Sequence, residues 1–161
     1  MQEKSSLYLY LAGLSALEDG LYKEANYFLS QSLKHAPDNV AREKSAAIHQ
    51  ALGEAHYGLG RMSESQAELE KALELSGFPP PPPELAPRQL LPQIMAQVKH
   101  RLRPGQVWID PDEKRRLLTA AQTCERLGQI YYLNGEKALG LHNALRILNL
   151  CEEAGPSPQL A

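Results

Sequence analysis

The chain has 161 residues, of which 43% are hydrophobic and 22% charged, a balance that suits one compact domain or a short array of repeats and excludes global disorder. Its formal net charge of −2 supplies no general attraction to nucleic acid or to an anionic membrane. No apolar run approaches the roughly 20 residues of a membrane-spanning helix, and the opening MQEKSSLYLYLAGLSALEDG has too short an apolar core to read as a signal peptide.

The composition is rich in Ala, Leu and Glu, with few β-branched alternations, so helices are expected throughout. Taken in chain order, three pairs of glycines share one spacing: Gly13 and Gly20, Gly53 and Gly60, Gly128 and Gly135. The first of each pair falls inside a helical pattern, where glycine costs about 1 kcal/mol against alanine and close approach of a neighbouring helix is the usual reason for it. The second of each pair ends that helix with a left-handed cap. A second amphipathic helix follows each time: LYKEANYFLSQSLKHAP, RMSESQAELEKALELSG and EKALGLHNALRILNLCEEAG. The unit is a helical hairpin written three times, and LGEAHYGLG at 52–60 is echoed by LGQIYYLNG at 127–135.

These hairpins resemble the tetratricopeptide repeat. Leu52 and Gly53 stand at its Leu-Gly step, His56 at its Tyr and Ala72 at its second Ala. The first unit supplies Gly13, Ala25, Leu29, Ser32 and Pro37, and the third supplies Leu127, Gly128 and Tyr131, with Gly140 where Ala is expected. Gly13, Gly53, Gly128, Leu52 and Leu127 are therefore read as structural repeat positions. The resemblance covers most of 6–77 and 117–155 and implies an all-α, tetratricopeptide-like α-solenoid. Gly13 and Gly53 are 40 positions apart, against about 34 in the usual repeat. The surplus lengthens the first helix of unit two, with Asp38 or Asn39 as its cap. The first helix of unit three is also long, about 111–134, with Asp110 as N-cap, Pro111 at the first position and Glu113 three residues after the cap.

Between the second and third hairpins, Pro79 to Pro83 predicts a stiff polyproline spacer. Beyond it, Leu91, Ile94, Met95, Val98 and Leu102 form an apolar stripe on a helix near 88–103, which Pro92 starts or kinks and RPG ends. This helix is expected to pack on the repeats, since its stripe is otherwise exposed. The organisation is thus two hairpins over 1–78, a Pro-rich linker plus one extra helix over 79–110, and a third hairpin with its tail over 111–161.

No catalytic constellation is legible. The chain has neither a phosphate loop nor a nucleophile elbow. His49 and His56 share a helix face, but repeat register makes them packing residues rather than metal ligands, and His35, His100 and His142 lack partner ligands at useful spacing. Cys124 and Cys151 make no disulfide framework and read as buried thiols in a reduced, cytoplasmic setting. The basic runs KHRLRPG and KRR lack the interleaved aromatics of a nucleic-acid surface. No enzyme activity, cofactor, metal, nucleic acid or membrane is expected.

The resemblance implies a concave face lined by the first helices. Its outward positions are Tyr10 and Leu14 in unit one, Gln50, Glu54 and Tyr57 in unit two, and Glu125, Gln129 and Tyr132 in unit three. These are not the Lys, Asn and Arg of a carboxylate clamp. More closely, the stretch from HQALGEAHYGLG through VKHRLRPG to the C-terminal hairpin is similar to the helical-repeat region near the C-terminus of large bacterial signalling proteins. Those join a predicted AAA-type, STAND-like ATPase to an adenylate/guanylate cyclase or kinase domain. The resemblance implies a non-catalytic scaffold or sensor segment that binds a protein segment or other domains of its own parent chain. A free-standing peptide-binding adaptor is the alternative.

Overall fold

The computed structural model describes residues 2–36, 42–102 and 109–155, with side chains from residue 4 onward. Seven helices and no strand occur among the described residues. The proposed caps Asp38 and Asn39, the closing Pro37, the RPG stop and the tail beyond 155 lie outside them. The chain divides into two compact units, Met1–Pro79 and Pro80–Ala161.

The first unit holds α1 (Gln2–Glu18), α2 (Tyr22–Lys34), α3 (Arg42–Gly58) and α4 (Met62–Leu75). α1 pairs with α2, α3 with α4, and α3 also lies on α2 and α1. Its core contains Ala16, Ala25, Leu29, Ile48, Ala51, Leu52 and Ala55. Small residues set the approach within each pair. A Cβ on Gly13 would meet Leu29 Cγ at 2.6 Å, and one on Gly53 would meet Leu69 Cγ at 2.5 Å. Each leucine stands at the same offset from its glycine, so the two hairpins are closed by the same contact. Serines tighten the pairs further: the Ser6 hydroxyl donates to the Ser32 carbonyl (2.9 Å), the Ser32 hydroxyl to the Ser6 carbonyl (2.8 Å), and the Ser65 hydroxyl to the Gly53 carbonyl (2.8 Å).

The second unit holds α5 (Ala86–Leu102), α6 (Pro111–Leu133) and α7 (Lys137–Ala154). α6 starts as its sequence dictates: the Asp110 carboxylate accepts from the backbone N–H of Asp112 (2.9 Å) and Glu113 (3.3 Å), and Pro111 occupies the first turn. The Glu113 carboxylate does not reach back to close a capping box; it is held by the Arg116 guanidinium at 2.7–2.8 Å. α6 pairs with α7, burying Leu117, Cys124, Leu127, Ile130, Tyr131, Leu139, Leu150 and Cys151. Gly128 differs from Gly13 and Gly53. A Cβ there would meet only the Asn143 amide nitrogen, at 3.2 Å, because Asn143 occupies the space and donates to the Cys124 carbonyl.

The turns repeat more faithfully than the packing. Gly20, Gly60 and Gly135 have φ of 72°, 73° and 73°, a left-handed conformation that costs glycine nothing. The N–H of Gly20 donates to Leu17 O (3.0 Å) and that of Leu21 to Ala16 O (2.8 Å). Gly60 and Arg61 make the same bonds to Tyr57 O and His56 O, and Gly135 and Glu136 to Tyr132 O and Tyr131 O. This is the Schellman pattern, which satisfies carbonyls left over at a helix end. The next helix then begins from Leu21, Arg61 or Glu136, all with closely similar backbone angles and no side-chain cap.

The proline run is non-helical through Pro82, with a turn over 83–85, and Pro81 is buried. α5 begins at Ala86 and carries Pro92 inside it. The helix packs on the third hairpin, as expected, through α7, but not by its apolar stripe: Leu91, Ile94, Met95, Val98 and Leu102 are all exposed. α5 lies on α7 through its opposite face. There the Asn149 amide donates to Gln93 O (3.1 Å) and Gln93 Oε1 (2.6 Å), and the Gln97 amide donates to Asn149 Oδ1 (2.7 Å) and Glu152 Oε2 (3.0 Å). Polar partners on α7, rather than apolar contact, decide which side of α5 turns inward.

Candidate functional site

In the first unit the candidate residues are Tyr10 and Leu14 on α1 and Gln50, Glu54 and Tyr57 on α3, all half-buried. Tyr10 and Leu14 pack against the core of the unit, and burial raises the Tyr10 phenol above its ordinary value. Their apolar surface therefore serves packing as well as the exterior. Gln50, Glu54 and Tyr57 follow helical spacing along one side of α3, two polar residues followed by one aromatic.

In the second unit Glu125, Gln129 and Tyr132 are exposed on α6. Tyr132 is 85% exposed while its neighbour Tyr131 is 1% exposed, so the paired tyrosines of LGQIYYLNG divide between surface and core. The Gln129 amide oxygen accepts from Arg126 Nη1 at 2.7 Å. Glu125, Gln129 and Tyr132 present an anionic, hydrogen-bonding and aromatic edge.

His49 and His56 are both half-buried. His49 Nδ1 lies 2.6 Å from Glu68 Oε2 on α4. The Asn26 amide of α2 donates to His56 Nε2 at 3.0 Å. The two rings thus reach in different directions, one within its hairpin and one to the preceding hairpin. Among the described residues no group of three or more His, Cys, Asp or Glu could hold a metal ion.

Cys124 and Cys151 are buried free thiols. Burial pushes the Cys124 thiol up to about 12 and raises that of Cys151, with Glu125 and Glu152 adding to the latter. A thiol so held stays protonated and is a poor nucleophile. His142 is 1% exposed and its Nε2 has no hydrogen-bond partner. Burial first, and the Arg146 charge second, lower its pKa below the ordinary histidine value. No described helix is long and apolar enough to cross a membrane.

Two features escaped sequence reasoning. Gly58 admits the Tyr22 ring, whose atoms lie 2.4–2.5 Å from where a Cβ would stand; it sits inside the quoted echo, but its counterpart Leu133 is large, so comparison of repeats hides it. The outward apolar face of α5 is the other, because periodicity marks a stripe without saying which way it turns. No protein-family model matches the chain, and no curated protein matches it in sequence.

Proposed function

We propose that the chain is a non-catalytic interaction scaffold or sensor segment, a tetratricopeptide-like α-solenoid belonging to a larger cytoplasmic signalling ATPase. The observation that carries this reading is the repeated hairpin closure: three helix pairs joined by the same glycine turn with the same two backbone bonds. Replicated hairpins that present side chains along their first helices make extended recognition surfaces. Support also comes from the chemistry of the outward positions, whose carboxylate, amide and phenol groups suit hydrogen bonding to a protein partner.

The partner is a protein segment, most directly another domain of the same parent chain. Within the first unit the contact strip is Gln50, Glu54 and Tyr57 on α3, and within the second it is Glu125, Gln129 and Tyr132 on α6, each taken by itself. Tyrosine is suited to this, because it supplies contact area and a hydrogen bond at small entropic cost. The test is titration of the purified chain with the remaining domains of its parent, followed by calorimetry. Tyr132→Ala is expected to weaken binding at least tenfold while leaving the circular dichroism spectrum unchanged. Unaltered affinity in both Tyr57→Ala and Tyr132→Ala would remove this surface, and nucleotide turnover by the chain alone would overturn the non-catalytic reading.

A further inference from the structure

At about 100° per residue, Leu91, Ile94, Met95, Val98 and Leu102 fall on one narrow strip of α5. Their side chains are between 43% and 77% exposed. Arg88 and Lys99 border one edge of the strip and Arg101 the other, all exposed, and no acidic residue occurs within Ala86–Leu102. The reverse face carries buried Ala86 together with Gln93 and Gln97, bonded to Asn149 and Glu152. Rotating the helix to hide its apolar strip would strand those polar groups, each at a cost comparable to a lost hydrogen bond. The outward strip is therefore fixed by the fold.

We propose that this face of α5 is a second docking surface, and that its occupant is an amphipathic α-helix of a partner protein whose apolar stripe is flanked by Asp and Glu. Spacing at i, i+3, i+4, i+7 and i+11 matches the anchors of helix-to-helix docking. The cationic edges select the sign of the flanks. A second copy meeting the same face would set these basic edges against each other, a repulsive arrangement. An anionic membrane is disfavoured because the strip has no Trp, Tyr or Phe to anchor it at an interface. The surface is distinct from the strip on α6.

The probe is a fluorescein-labelled synthetic helix of four heptads with Leu at a and d and Glu at e and g, titrated with the full chain and read by anisotropy. Saturable binding is expected, weakened at least tenfold by Val98→Asp and by the double change Lys99→Glu, Arg101→Glu, and weakened by added salt. A matched peptide with Lys at e and g is expected not to bind, and Tyr132→Ala is expected to have no effect. Because Val98 is exposed, its variant should keep the native circular dichroism; the charge reversal reads the same face without touching an apolar contact. Equal binding of both peptides, indifference to the charge reversal, dimerisation lost in Val98→Asp, or preferential capture by phosphatidylglycerol vesicles would each overturn the proposal.

Discussion

Gly13 and Gly53 are places where one methyl group decides stability. A Cβ at either would lie within 2.6 Å of a leucine branch point, and overpacking of this kind costs about 1–3 kcal/mol, against about 1 kcal/mol gained in helix propensity. Gly128 faces only an amide nitrogen at 3.2 Å. Gly13→Ala and Gly53→Ala are thus expected to lower the urea midpoint, whereas Gly128→Ala should stay within about 0.5 kcal/mol of the parent. A Gly128→Ala loss equal to that of Gly53→Ala would show that the third hairpin is as tightly closed as the second. His142 gives a second test at this scale. Its pKa is lowered on folding by burial, so the unfolded chain binds the proton more readily. Its contribution is fully present above the ordinary value of about 6.5 and is lost as pH falls through the lower folded value. The thermal midpoint of the second unit should show no His142-linked pH dependence above pH 7 and should fall on acidification, and His142→Leu should flatten that slope.

Among the described elements, α5 meets α7 through a cluster of side-chain hydrogen bonds. Asn149 donates twice to Gln93 and accepts from Gln97, and loss of buried bonds of this kind costs about 1–3 kcal/mol. Asn149→Ala is expected to raise amide hydrogen exchange across 86–102 while α6 keeps its protection. Uniform loss of protection through the second unit would mean that α5 and the hairpin unfold together. The hairpin turns were readable in advance from glycine spacing, because a Schellman closure needs only residues within one turn of each other. The Asp110 cap was readable for the same reason.

For the whole molecule, the division at Pro79 and Pro80 assigns α5 and the third hairpin to one unit with its own buried residues. Fragments 1–79 and 80–161 should each be helical by circular dichroism and unfold cooperatively. Each is small enough for its stability to be marginal. A fragment that unfolds without a transition would show that the two units depend on one another.

Sequence alone determined that the chain is helical, where the three glycine turns close their hairpins and how α6 starts at Asp110, because these follow from periodicity and local backbone bonding. Tertiary structure decided that Asn143 rather than leucine fills the space at Gly128, that Tyr10 and Leu14 share in the core, and that α5 turns its apolar strip to the exterior. The last depends on pairs such as Gln97 and Asn149, 52 residues apart. A helical repeat marks two faces but contains no information on which one will meet a polar partner brought in from so far along the chain.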